Sequence, residues 1–105
     1  MMVTEFAELQ RFSDEKMVKI PVMDSPHCFC DLYCLMPGQF QKVHDHPGSD
    51  KIYYVVEGSG TFHIDGEERS VGAGSAVVAP AGSQHGVRNE TAENLTLYVV
   101  MAPRP

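Results

Sequence analysis

The stretches His44-Asp45-His46 and Pro80-Ala81-Gly82-Ser83-Gln84-His85 lie about forty residues apart in a sequence of short apolar segments. Successive side chains on a β-strand point to opposite faces, so a His-x-His pair sends both imidazoles to one face. Neutral imidazole is the commonest protein ligand for zinc, copper, iron and nickel. A third histidine from a distant strand completes a ligand set that leaves coordination positions open, as catalytic metal sites do. The two stretches therefore predict one divalent metal ion held by His44, His46 and His85.

Around these histidines the sequence predicts an all-β architecture. Roughly eight short strands, among them 28–36, 40–46, 51–56 and 94–101, are separated by turn residues at intervals of about 8–12 positions. Asp65-Gly66 between 61–64 and 67–71 predicts a hairpin, because this dipeptide adopts the positive φ values of a two-residue type I′ turn. With no convincing interior helix, this pattern favours a single antiparallel β-barrel or sandwich over residues 1–105.

Composition and charge exclude several functional classes. The 105 residues suffice for one domain with a modest core. A formal net charge of −6 with eight scattered Lys and Arg residues argues against a nucleic-acid partner. No apolar run approaches the length of a membrane span, and the first residues lack a basic region followed by an apolar core. We therefore expect a cytoplasmic protein with no membrane partner.

Two motifs make the resemblance to a known family specific. Gly38, five residues, His44-Asp45-His46 and the segment 53–60 resemble the first motif of the cupin superfamily. The series Gly74, Pro80, Gly82, His85 and Asn89 matches the second motif at every defining position. The resemblance covers about residues 28–101 and implies the cupin double-stranded β-helix, a jelly-roll barrel. It also implies a homodimer, since the exposed edge strands of small β-domains are commonly covered by a partner.

The sequence departs from the family pattern at one position. Lys51 stands where most metal-binding cupins carry a glutamate ligand, and an ammonium group does not coordinate a cation. Three arrangements follow: three histidines with water at the open positions, an oxygen ligand from Asp50, or Lys51 inside the cavity beside a weak or empty site. We favour the three-histidine arrangement. A Lys51 that points inward would have a lowered pKa and act as a general base or as an anchor for an anionic substrate; a Lys51 bent outward to solvent would do neither, and the sequence leaves both orientations open.

Several other residues carry smaller predictions. Tyr53 shares strand parity with Lys51 and is expected in the core or at the pocket, where its hydroxyl would orient the substrate. Gln41 is expected at the mouth of the pocket or in a turn, and Asn89 in a stabilising turn. The three cysteines, Cys28, Cys30 and Cys34, are odd in number and are interpreted as small buried hydrophobes. Only if they faced the histidines would one of them be a candidate ligand.

The resemblance implies two classes of function. The first is a small metal-dependent enzyme that acts on a small polar metabolite with Fe, Mn, Ni or Zn; a three-histidine iron site gives dioxygenase-like chemistry the lead, ahead of isomerase or lyase chemistry. The second is a non-catalytic cupin that binds a small ligand. Fold alone does not decide between them, because the superfamily contains both enzymes and binding proteins.

Overall fold

The computed structural model describes residues 1–105, and its architecture is two antiparallel sheets that face each other. A single helical turn, α1, precedes nine strands. The elements are α1 (Phe6–Leu9), β1 (Val18–Asp24), β2 (Phe29–Leu35), β3 (Phe40–His44), β4 (Asp50–Glu57), β5 (Ser59–Ile64), β6 (Glu67–Gly72), β7 (Ala76–Ala79), β8 (His85–Arg88) and β9 (Leu95–Ala102). No helix is long and apolar enough to cross a membrane.

Strand order places the histidine-bearing strands in the smaller sheet. The five-stranded sheet has the order β1-β2-β9-β4-β7, and the four-stranded sheet has the order β3-β8-β5-β6. All neighbouring strands are antiparallel, as the sequence predicts for a barrel or sandwich. Strand β4, which carries Lys51, lies in the opposite sheet and faces the site across the barrel.

The hairpin between β5 and β6 is confirmed. Asp65 and Gly66 have φ values of 47° and 85°, and Ile64 pairs with Glu67. Both central residues thus have the positive φ that a type I′ turn requires.

The core lies between the two sheets and follows the alternation of the strands. In β4 the inward residues Lys51, Tyr53 and Val55 are buried, while the residues between them are more exposed. In β9 the inward residues are Leu95, Leu97, Val99 and Met101. Leucine, valine, phenylalanine and tyrosine side chains from both sheets form one apolar cluster, and burying each such aliphatic or aromatic side chain stabilises the fold by roughly 1.5–3 kcal/mol.

The outer face of the large sheet carries the cysteines. Cys30 and Cys34 are buried and Cys28 is half-buried, and none forms a disulfide. Cys34 packs with Ile20 and Leu32 in a second apolar cluster under Phe6, Leu9 and Phe12 of the N-terminal segment. Because Cys30 and Cys34 alternate with the inward-facing Tyr33, they point away from the histidines. The interpretation of these two residues as buried hydrophobes is confirmed, and a ligand role for them is excluded by their orientation.

Candidate metal centre

The three histidines of the two motifs come together inside the barrel. One candidate ligand atom from each of His44, His46 and His85 lies within 4.8 Å of the other two. The ring centroids of His44 and His85 are 4.5 Å apart, and those of His46 and His85 are 5.5 Å apart. Two nitrogens bound to one ion at about 2.0–2.1 Å lie at most about 4.2 Å apart, so the rings must move together by about half an ångström or more to bind one ion.

Hydrogen bonds determine which ring nitrogen of His44 and of His85 is free to bind a metal ion. The Nδ1 of His44 is 2.6 Å from the carbonyl oxygen of Lys42, and the Nδ1 of His85 is 3.0 Å from that of Ser83. A carbonyl oxygen only accepts, so each Nδ1 carries the proton and donates. Each Nε2 therefore keeps its lone pair, the form in which metal-binding histidines are held by an outer partner.

The buried Nε2 atom of His85 lacks a partner that a metal ion would provide. His85 is 1% exposed, and its Nε2 is the one buried side-chain polar atom that lacks a hydrogen-bond partner. Leaving such an atom unpaired costs roughly 1–3 kcal/mol, so its retention calls for a function. A metal ion among the three Nε2-bearing rings satisfies it, and the residues present fit a divalent transition metal.

Burial favours the neutral form of all three imidazoles. Burial lowers the pKa of His85 to about 4, with further lowering from the charge of Lys51. Burial is also the largest cause of the lowered pKa of His44 and of His46. Neutral imidazoles are the form that coordinates a cation.

A β-bulge in β3 directs the side chains of both Gln41 and His44 into the barrel. Gln41 pairs with Val87 and His44 pairs with His85, so three steps along β3 oppose two along β8. Strict alternation would send Gln41 and His44 to opposite faces. The extra residue brings both to the interior, where Gln41 is buried. Strand β3 ends at His44, so the predicted strand to residue 46 is two residues too long, and His46 lies in the loop that follows.

Gly86 accommodates this bulge. A Cβ atom built on Gly86 would lie 2.9 Å from the carbonyl oxygen of Gln41 and 3.0 Å from the backbone nitrogen of Val43. Strand β8 therefore approaches the bulged strand more closely than any side chain would permit.

The loop that carries His46 is hydrogen-bonded to the turn that precedes His85. The backbone N–H of Gly82 donates to the carbonyl oxygen of His46 at 3.0 Å. The N–H of Ala81 donates to Oδ1 of Asp50 at 2.9 Å. Asp50 is exposed and is not among the residues whose ligand atoms converge, so we leave it out of the proposed ligand set. Its carboxylate instead ties the start of β4 to the turn before His85.

Lys51 enters the cavity. Its side chain is 1% exposed, and Nζ donates to Oε1 of Gln41 at 3.3 Å. Nζ also lies 5.3 Å from the ring centroid of Tyr33 and 4.9 Å from that of Tyr53. Burial first, and then the charge of Lys19, lower the pKa of Lys51 to about 7.

Gln41 is the centre of a buried polar network. Its Oε1 accepts from the Tyr53 hydroxyl at 2.9 Å, and its Nε2 donates to the Tyr33 hydroxyl at 3.1 Å. Burial raises the pKa of Tyr33 to about 12 and that of Tyr53 further, so both hydroxyls keep their protons. The sequence placed Gln41 only at the mouth or in a turn and did not single out Tyr33. Asn89, in contrast, stabilises a turn as expected, since its amide donates to the carbonyl oxygens of Leu35 and Glu93.

These groups line a cavity of about 310 Å³ between the sheets. His44 and His46 lie in its wall. The other polar residues that line it are Lys19, Asp31, Tyr33, Gln41 and Lys51. A larger groove of about 580 Å³ opens between β6 and β7, but no histidine, cysteine or lysine lines it. We therefore place the site in the smaller cavity, because it alone combines candidate metal ligands with a buried amine.

Several known proteins are similar to this chain in sequence or in structure. The crystal structure of TT1209 from Thermus thermophilus is 50% identical, with a TM-score of 0.97 over 100% of both chains. An oxalate-binding protein of Thermotoga maritima is 31% identical over 64% of this chain. A 5-nitrosalicylic acid 1,2-dioxygenase of a Bradyrhizobium species is 30% identical over 72% of this chain. The chain spans 55% and 36% of the lengths of these two curated relatives.

The family is shown by a match that covers most of the barrel. The sequence model of the Cupin domain matches residues 31–101, which contain both histidine stretches and every strand from β3 to β8. The chain belongs to the cupin family.

Proposed function

We propose that this protein is a metal-dependent cupin enzyme that acts on a small polar metabolite. The observation that carries the proposal is the buried, unpartnered Nε2 of His85, which lies beside the free nitrogens of two other neutral imidazoles. His44, His46 and His85 are the proposed ligands, and Fe, Mn, Ni or Zn is the proposed ion. A cavity of about 310 Å³ limits the substrate to a small molecule.

Each residue around the ion has a proposed task. A divalent ion held by imidazoles polarises a carbonyl or enolate oxygen, and iron(II) adds dioxygenase-like chemistry. Lys51 is the proposed general base, because an amine with a pKa of about 7 exchanges protons efficiently near neutral pH. Tyr53 donates to Gln41 and so fixes the amide oxygen that accepts from Lys51. Tyr53 is thus proposed to orient the amine rather than to exchange protons.

A non-catalytic ligand-binding cupin is the second candidate. It is favoured by the similarity to a protein named for oxalate binding. The same cavity and histidines would serve this function, with a bound ligand that is not turned over.

The ligand set is tested by metal analysis of protein purified without chelator. We expect close to one transition-metal ion per chain in the wild type and none in His46→Ala, with the barrel still folded by circular dichroism. His27→Ala is the matched control, because His27 is exposed and lies outside the cluster. Full metal occupancy in His46→Ala would contradict the assignment.

Oxygen uptake then separates the two candidate functions. Iron(II)-loaded protein is offered a panel of small polar metabolites while dissolved oxygen is recorded. Substrate-dependent uptake that is lost in His46→Ala supports the dioxygenase-like enzyme. Calorimetric binding of a panel member with neither oxygen uptake nor product formation supports the binding protein.

A further inference from the structure

Lys51 differs from the other three lysines in having neither contact with solvent nor an ion pair. Lys16, Lys19 and Lys42 are exposed, whereas Lys51 is 1% exposed. None of the ion pairs in the structure includes Lys51, and its one hydrogen-bond partner is the neutral amide of Gln41. A buried ammonium without a carboxylate is costly, so this lysine is held as a free amine or awaits a ligand.

The surroundings of Nζ leave a nitrogen lone pair available. Gln41 Oε1 accepts one hydrogen from the amine, and both tyrosine hydroxyls next to it donate to or accept from Gln41 rather than Lys51. The rings of Tyr33 and Tyr53 flank Nζ at about 5 Å and exclude bulk water. An uncharged amine in an apolar pocket is the form in which lysine attacks carbonyl carbon.

We propose that Lys51 is a covalent attachment point for a small aldehyde or ketone, which it binds as an imine at the floor of the cavity. The Nζ lone pair forms a bond to the carbonyl carbon, the two hydrogens of the amine pass to the carbonyl oxygen, and the carbon–oxygen bond breaks as that oxygen leaves as water. No electrons are transferred, and hydrolysis returns the free amine and the carbonyl compound. The inference rests on the proposed function in one respect, that the cavity admits a small ligand; it requires no metal ion.

Asp31 supplies the acid that this reaction needs. Its carboxyl group lines the same cavity and is half-buried. Burial is the largest cause of its raised pKa, and the charges of Lys19 and Lys51 oppose the rise. Loss of water from the amine adduct requires a proton donor near the departing oxygen, and Asp31 is the carboxyl group that lines this cavity.

The test traps the imine by reduction and locates it by peptide mass spectrometry. Chelator-treated protein is incubated at neutral pH with sodium cyanoborohydride and either pyruvate, an anionic ketone, or propanal, a neutral aldehyde. At this pH about half of an amine with a pKa of about 7 is uncharged, against fewer than about one in a thousand for an ordinary lysine. We expect Lys51 to be modified at least about tenfold faster than Lys19, the exposed lysine at the rim of the same cavity.

The pattern of modification decides the inference. Preference for Lys51 with either probe supports it, and the better probe tells whether the carbonyl compound is anionic or neutral. Equal modification of all four lysines, or modification of the exposed three without Lys51, overturns it. The comparison is made within one wild-type molecule, so the result does not depend on a variant that folds; Lys51→Met serves as the negative control.

Failure of this inference is distinguishable from failure of the proposed function. Metal bound by wild-type protein with no adduct on Lys51 overturns the imine and leaves the metal centre standing. An adduct on Lys51 in protein that takes up no metal supports the imine and overturns the proposed metal centre. His46→Ala is expected to lose the metal and still form the adduct.

Discussion

At the scale of single residues, the site combines two polar groups whose burial destabilises the folded protein. The unpartnered Nε2 of His85 and the unpaired amine of Lys51 both line the interior of a small barrel whose stability comes from its apolar cluster. Retaining two such groups lowers the free energy of unfolding, and functional sites are where this loss is tolerated.

The contribution of Lys51 to the free energy of unfolding depends on pH. In the unfolded chain a lysine keeps its proton up to a pKa of about 10.4, whereas in the folded protein the pKa of Lys51 is about 7. Between these values the unfolded chain binds more protons, so this group makes the protein more stable as pH rises from 7 towards 10 and less stable as pH falls back.

Replacing the amine should remove this dependence. Lys51→Met fills a similar volume without charge, and we expect it to exceed the wild type in free energy of unfolding by a few kcal/mol at pH 6, with the advantage shrinking towards pH 10. Urea unfolding of chelator-treated protein at several pH values measures the difference. Lys42→Met, at an exposed position, controls for loss of a surface charge. A difference that stays constant across this range would show that Lys51 keeps its ordinary pKa.

At the scale of elements, the bulge in β3 explains what sequence reasoning found and missed. Alternation predicted that Lys51 and Tyr53 share one face of their strand, and they do so because β4 is regular until Val55. Gln41 was expected only at the mouth of the pocket or in a turn; the extra residue between Gln41 and His44 reverses the parity of the strand and brings Gln41 inside. A bulge depends on the pairing of two strands that are distant in sequence, so the local pattern of β3 did not reveal it. The orientation of Lys51 was also left open, since a lysine at an inward position is equally compatible with a side chain bent to solvent.

The bulge depends on the missing side chain of Gly86. We expect Gly86→Ala to lower the free energy of unfolding by about 1–3 kcal/mol, because its Cβ would lie too close to the backbone of Gln41 and of Val43. The displacement of β3 should also weaken metal binding by way of His44. Thermal unfolding and metal titration measure the two effects. Gly48→Ala is the control, since a Cβ there meets nothing within 4 Å. Equal stability of the two variants would show that β3 and β8 can separate freely.

At the scale of the whole molecule, part of the large sheet's outer face lacks a cover. The N-terminal segment packs over Leu32 and Cys34, whereas Ile52, Tyr54 and Val78 remain 42%, 43% and 57% exposed on adjacent strands. Ile52 and Val78 are direct cross-strand partners, so their side chains form a continuous apolar surface. Such a surface on a small β-domain suits self-association.

We therefore expect a homodimer that uses this surface. Ile52→Asp should convert the dimer to a monomer, because a carboxylate at the centre of an apolar contact is desolvated without a partner. Light scattering coupled to gel filtration measures the mass. Val43→Asp is the control, since Val43 is similarly exposed but lies on the small sheet. A monomeric wild type, or a dimer that survives Ile52→Asp, would rule out this interface.

The hydrogen bonds from Ala81 to Asp50 and from Gly82 to His46 have a consequence for selectivity. Because they join the His46 loop to the turn before His85 through groups other than the imidazoles, the backbone around the ligands is already held in place, and little backbone freedom remains to be lost on coordination. The protein therefore has no folding transition with which to favour one ion over another. Discrimination among iron, manganese, nickel and zinc falls to the intrinsic preferences of three nitrogen donors and to whichever ion the cell supplies.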